Sequence, residues 1–180
     1  QSVHLNQLIN TILEVSFLER QEFELDRHRV TIDELLHQVV SSFLTSCDGC
    51  AVIEEDYSTN GLEASVDIVY FTTMISNLLS NAVKYCDREP VIKVSAGVCG
   101  GDVEISIADN GVGIPAEHLG HIFEKFHRVP QGNIHKTKGL GLGLYYVRRI
   151  ATAHGGDVSV NSKPGRGTTF KIRIPIQNKI

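Results

Sequence analysis

Hydrophobic positions recur along this chain with two different periods, and the places where the period changes predict its elements. From residue 32 the run IDELLHQVVSSF sets Ile32, Leu35, Leu36, Val39, Val40 and Phe43 on one face at helical spacing. Thr31 and Glu34 open it as a T-x-x-E capping box, in which hydroxyl and carboxylate each satisfy a backbone donor. Residues 74–85, MISNLLSNAVKY, predict a central helix that Asp67 is placed to cap. Met74, Ile75, Leu78, Leu79, Ala82 and Val83 make it apolar, while Asn77, Asn81 and Lys84 share the remaining face at i, i+4 and i+7. Two stacked amides on a buried helix need partners, so they either brace a loop or belong to a polar site. A last long helix follows residues 139–144, GLGLGL, with Tyr145, Val147, Ile150 and Ala151 on its buried side.

Strands are expected at 23–30, at 51–55 and 62–66 around a turn at Thr59, Asn60 and Gly61, and at 158–160 and 169–174. Residues 91–97 and 102–108 predict a hairpin turned by Gly100 and Gly101. The picture is an α+β fold, one layer of helices on a mixed sheet with the site between helices and loops. Residues 1–20 carry a separate helical stripe, Leu5, Leu8, Ile9, Ile12 and Leu13, that wants a partner helix.

Composition narrows the function classes. The chain has 180 residues and a formal net charge of −4, without a lysine-arginine block, so a general nucleic-acid surface is not expected. No apolar run is long enough to cross a bilayer and no signal-peptide pattern opens the chain, so a cytoplasmic piece without membrane contact is expected; its start at Gln1 without a methionine makes a fragment of a longer parent the expectation, with the parent's own membrane anchoring left open. Cys47 and Cys50 form a C-x-x-C, but no second pair completes a zinc set, and free thiols are the expected state of all four cysteines. His118 and His121 share a helix face without an obvious third metal ligand, and His37 is expected at the surface.

The chemistry is concentrated in the glycine segments. Residues 109–115 read DNGVGIP and follow the alternating Val103, Ile105 and Ile107, so a strand delivers Asp109 into a glycine-softened turn. Residues 139–144 open a helix whose free N–H groups and positive dipole end suit phosphate oxygens. Residues 165–170, GRGTTF, lead into the final strand.

Together with the central helix, these segments resemble, in order, the N, G1, G2 and G3 boxes of the GHKL ATPases, and in detail the catalytic ATP-binding domain of sensor histidine kinases. Residues 122–128, IFEKFHR, are similar to the F box of those kinases. The resemblance implies a two-layer α/β sandwich of the GHKL (Bergerat) type, with a mobile ATP lid over 127–138. It implies that 1–22 are the end of a dimerisation and phosphotransfer helix with its linker, and that 23–178 are the catalytic domain. The phosphoacceptor histidine is then expected upstream of Gln1, because HLNQLI around His4 lacks the family's H-box residues.

The same resemblance assigns roles. Asp109 accepts from the adenine amino group, Gly111 and Gly113 let backbone pass close to the base, and Ile114 and Tyr85 wall it. Asn81 binds Mg2+ with support from Asn77, and Lys84 meets phosphate oxygens. The G2 segment, Gly139, Leu140, Gly141, Leu142 and Gly143, supplies backbone donors to the phosphates. Phe126 and Arg128 of the F segment and Thr169 of the last strand complete the implied ATP site. The implied partners are the parent's own phosphotransfer helix, a downstream response regulator and a second copy of the parent. At Asn77 the hydrolase members of the superfamily, gyrase, MutL and the heat-shock chaperones, carry a glutamate that activates water. An amide cannot take that proton, so transfer to a histidine is expected. A hydrolytic clamp and a nucleotide-sensing module that transfers nothing stand as the alternatives.

Overall fold

The computed structural model describes residues 24–130 and 140–176. The predicted helix at 1–20, His4 and the start of the first strand lie outside them, as do Gly139 and most of the expected lid. In chain order the described elements are β1 (Arg27–Thr31), α1 (Ile32–Ser46), β2 (Val52–Tyr57), β3 (Glu63–Asp67), α2 (Ile68–Lys84), β4 (Val91–Cys99), β5 (Asp102–Asp109), α3 (Ala116–Leu119), α4 (Gly143–Ala153), β6 (Asp157–Lys163) and β7 (Gly167–Pro175).

A five-stranded mixed sheet has the order β2-β4-β5-β7-β6, in which only β2 and β4 run parallel. Its inner face follows from the period of two: Ile92, Val94 and Ala96 of β4, Val103, Ile105 and Ile107 of β5, and Phe170, Ile172 and Ile174 of β7 are all buried. Register stacks them in rows, Ala96 beside Ile105 beside Ile172, and Val94 beside Ile107 beside Phe170. The helices cover this face. Helix α2 contributes Phe71, Met74, Ile75, Leu78, Leu79 and Ala82, each worth roughly 1.5–3 kcal/mol of burial for the larger side chains. Among the described residues no helix is long and apolar enough to cross a membrane.

Asp67 caps α2 as expected, its Oδ1 accepting from the N–H groups of Val69 and Tyr70 at 3.0 and 3.1 Å. The Thr31 capping box does not form: Thr31 is the N-cap, but its hydroxyl makes no capping bond. Helix α1 issues directly from β1, whose Thr31 pairs with Glu63, and the Ile32 N–H goes to the Leu62 carbonyl at 3.1 Å. The strands on either side of Thr59, Asn60 and Gly61 do not pair with each other. β2 joins the main sheet, while β3 pairs with β1 in a separate two-stranded ribbon. Helix α4 begins at Gly143, four residues after the glycine that marked it, and buries Tyr146 rather than Tyr145. His121 lies beyond α3, which is only four residues long, so it shares no helix with His118.

His154 locks α4 to the start of α2. It is 1 % exposed; its Nδ1 lies 2.8 Å from the Ile150 carbonyl and its Nε2 accepts the Asp67 N–H at 3.0 Å. Both ring nitrogens are thus used by the neutral form, with the proton on Nδ1. Burial, aided by the Arg27 charge, pushes its pKa below the ordinary 6.5. The unfolded chain therefore binds this proton first, so His154 contributes its stability above pH 6.5 and loses it as pH falls below that value. The melting temperature should drop between pH 7 and pH 5, and the drop should be smaller in His154→Gln, which does not titrate there. An equal pH dependence in both proteins would remove His154 from this role.

Candidate active site

The site lies where the C-terminal half of α2 meets the loop after β5. Its cleft is lined by Asn81, Tyr85, Asp109, Gly113, Ile114, Ile122, His127, Arg128, Val129, Leu144, Thr168 and Phe170. Asp109 ends β5 and turns back on its own loop. Its Oδ1 accepts the N–H groups of Gly111 at 2.8 Å and Thr168 at 3.0 Å. Among the described residues no donor meets Oδ2. Burial pushes the Asp109 carboxyl above the usual aspartate range, and those two N–H groups pull it partly back.

Glycines make the loop's close approaches possible, but what they approach is protein. A Cβ on Gly111 would stand 2.6 Å from the Tyr85 carbonyl oxygen, and one on Gly113, at φ +74°, would collide with the Lys163 carbonyl. Tyr85, the C-cap of α2, also accepts the Val112 N–H at 3.0 Å, so the cap and the loop are held together. Asn110 braces the other side: its Oδ1 accepts the Val91 N–H and its Nδ2 donates to the Glu89 carbonyl, both at 3.0 Å. Ser162 ties in β6, accepting from the Ile114 N–H at 2.8 Å and lying 2.9 Å from the Thr168 hydroxyl.

At the other end of the cleft α4 presents its first turn. Its N-cap, Leu142, makes no side-chain capping bond, so among the described residues no cap side chain competes with an anion for the first N–H groups. Asn77 faces this turn: its Nδ2 donates to the Thr73 carbonyl at 3.1 Å, and its Oδ1 would stand 3.3 Å from a Cβ on Gly143. Lys84 Nζ sits over the Tyr85 ring, 5.1 Å from its centroid. The F segment clamps onto the glycine segment. Phe126, at φ +63° and 63 % exposed, donates its N–H to the Gly141 carbonyl at 3.1 Å, and a Cβ on Gly141 would stand 2.7 Å from the His127 carbonyl oxygen.

Of the residues singled out in the sequence, Asn81, Tyr85, Asp109, Gly113, Ile114 and Arg128 line one cleft. Asn77, Lys84, Gly111, Phe126, Leu140, Gly141, Leu142 and Gly143 are not among its lining residues. The threonine in the cleft is Thr168, not Thr169. Neighbours on a strand face opposite ways, and it is Thr168 that is buried against Asp109. Ile122, His127, Val129, Leu144 and Phe170 also line the cleft; the sequence assigns none of them a role, although each falls inside one of the segments 122–128, 127–138, 139–144 or 165–170. Among the described residues the buried His127 Nε2 meets no hydrogen-bond partner. Among the described residues no three histidine, cysteine or acidic side chains are grouped to hold a metal ion.

This arrangement of helix, loop and glycine turn has relatives. Residues 66–178 match the family of histidine kinase-, DNA gyrase B- and HSP90-like ATPases. The chain belongs to that family. The sensor protein RprX of Bacteroides fragilis is 36 % identical over 178 residues, covering 93 % of this chain and 33 % of RprX. The sensor histidine kinase YkoH of Bacillus subtilis is 33 % identical, covering 99 % of this chain and 38 % of its own. The crystal structure of full-length ShkA in complex with AMPPNP superposes with a TM-score of 0.83 at 29 % identity, over 96 % of this chain and 36 % of that one. The chain thus spans about a third of the length of the curated relatives it matches. The mixed α/β architecture of this ATPase family is the one expected from the glycine segments.

Proposed function

We propose that this chain is the ATP-binding catalytic part of a sensor histidine kinase, which passes the γ-phosphoryl group of ATP to a histidine on a phosphotransfer helix. One observation carries the reading: in a single cleft, a half-buried carboxylate with an uncommitted oxygen lies at one end and an uncapped helix N-terminus at the other. Asp109 Oδ2 suits the adenine amino group, and the first turn of α4 suits phosphate oxygens. The AMPPNP bound by ShkA, an ATP analogue, supports the same ligand.

Asn81 offers a neutral oxygen of the kind magnesium accepts alongside its waters. Magnesium, when bound with ATP, neutralises charge on the phosphates. Asn77 has no group that takes a proton from water, and its Nδ2 is already committed to Thr73. Transfer to a nucleophile from another domain therefore fits better than hydrolysis, with position and charge stabilisation supplying the acceleration. The parent's response regulator and its second copy belong to the same proposal, as does a cytoplasmic site of action.

The test is incubation with γ-labelled ATP, with and without the phosphotransfer domain of the parent protein supplied separately. Acid-labile, alkali-stable label should appear on that domain, and faster at higher concentration, because the tether that normally supplies proximity is absent. Release of free phosphate with no labelled acceptor would favour the hydrolytic clamp. Tight ATP binding with neither product would favour a nucleotide-sensing module.

A further inference from the structure

The loop between α1 and β2 holds two cysteines that the nucleotide cleft does not use and that lie outside the residues matched to the ATPase family. Residues 46–50 read SCDGC. Cys47 caps α1, its N–H meeting the Phe43 carbonyl at 3.1 Å while the Asp48 N–H meets that of Thr45 at 3.5 Å. Asp48 and Gly49 then both take left-handed φ, 53° and 69°, and the Gly49 N–H returns to the Leu44 carbonyl at 3.0 Å. This reversal brings the Cα atoms of Cys47 and Cys50 to 5.3 Å, and their sulfurs are joined in a disulfide. The free thiols expected from composition are thus only Cys86 and Cys99. Sequence shows the pair but not the left-handed cap that aligns it. Because the cap is made by backbone hydrogen bonds, the two sulfurs stay within reach when the bond is open.

We propose that Cys47 and Cys50 form a reversible dithiol–disulfide site whose partner is a dithiol reductant of the thioredoxin class. Both residues are only half-buried, so an attacking thiolate reaches them. The reductant's thiolate bonds to one Sγ and breaks the Cys47–Cys50 bond, and the other cysteine leaves as a thiolate that takes a proton. The reductant's second thiol attacks the mixed disulfide, releases the first cysteine and leaves as a disulfide. Two electrons and two protons pass from reductant to protein.

Position decides the kind of site. Redox motifs at a helix N-terminus gain thiolate character from the dipole, whereas Cys47 sits at the C-terminal end of α1, where that dipole disfavours a thiolate. As a thiol, Cys47 has the Leu44 carbonyl within 3.8 Å as an acceptor. The pair is therefore a staple opened by reductant rather than an oxidant of other proteins. It closes the connection into β2, which among the described residues is an edge strand paired with β4 alone. In a compartment that keeps thiols reduced the bond is transient; that consequence rests on the ATP-using function, whereas the exchange itself does not.

The experiment equilibrates the chain with dithiothreitol buffers of varied reduced-to-oxidised ratio, quenches with an alkylating reagent and counts labels by mass. Two of the four cysteines should be labelled at the oxidising end, Cys86 and Cys99, and all four at the reducing end, reversibly. Amide exchange at Cys47 and Gly49 should run about tenfold faster in the reduced chain, and the melting temperature should be about 5 °C lower. Both differences should vanish in Cys47→Ser, and in Cys50→Ser should the first variant fold poorly. Four labels at every ratio, or exchange identical in the two states, would overturn the proposal. Failure to bind ATP in either state would count against the kinase reading and leave the thiol count standing.

Discussion

Asp109→Asn should lower ATP affinity by about 100-fold while leaving the domain folded. The substitution keeps an oxygen where Oδ1 accepts from Gly111 and Thr168, so the loop retains its two internal bonds. It replaces Oδ2, which no described residue engages, by an NH2 group. That donor would face the donor of the adenine amino group, turning a charge-assisted hydrogen bond into an unpaired contact. GTP presents a carbonyl at the same position, so the wild-type chain should prefer ATP and the variant should lose most of that preference. Calorimetry with both nucleotides on both proteins measures all four affinities. Equal affinity of the wild-type chain for ATP and GTP would sink the assignment of Asp109 to the base.

Stability should move the opposite way from binding. Burial raises the Asp109 pKa above the ordinary 3.8, so the folded state takes up this proton more readily than the unfolded one. The ionised form therefore costs stability above the raised value, and acid relieves that cost as pH falls through it. ATP binding needs the ionised form and should fade over the same range. Asp109→Asn should accordingly melt no lower than wild type at neutral pH, which separates lost binding from lost fold.

Local chemistry is legible in this sequence, and distant pairing is not. Asp67 as a cap, Gly100 and Gly101 as a hairpin turn and Asn77, Asn81 and Lys84 as one helix face are local signals, and local chemistry decides them. The partners of β2 and β3 are not local. Val52 pairs with Val91, and Arg27 with Asp67, and nothing in either strand names a partner so distant. The choice between Thr168 and Thr169 turns on one residue of register, which reverses the face of every side chain. His154, Asn110 and Ser162 were missed because each is defined by backbone groups that reach it from other parts of the chain, as the Asp67 N–H reaches His154.

Gly167→Ala should be among the most damaging single-methyl additions to this domain, costing about 3–5 kcal/mol. Gly167 opens β7 opposite Lys163, is buried, and has φ +89°. A left-handed φ alone costs an L-residue about 1–2 kcal/mol. The added Cβ would also collide with the Asp109 carbonyl oxygen and stand 3.1 Å from the Asn110 Cα, so backbone rather than a flexible side chain must give way. Those two residues carry the site: Asp109 holds its Oδ1 to the Thr168 N–H, one residue from the substitution, and Asn110 braces Val91 and Glu89. The molecules that still fold should therefore bind ATP more weakly, which a surface defect would not cause. Gly101→Ala is the matched control, with φ +90° and nothing within 4 Å of the added carbon, so it reports the backbone cost alone. Denaturant melts should place Gly167→Ala at least about 2 kcal/mol below Gly101→Ala, out of a total stability on the order of 5–15 kcal/mol. If the two variants melt together, the close approach of β7 to the Asp109 loop does not constrain the fold, and Gly167 needs no more than its φ to explain it.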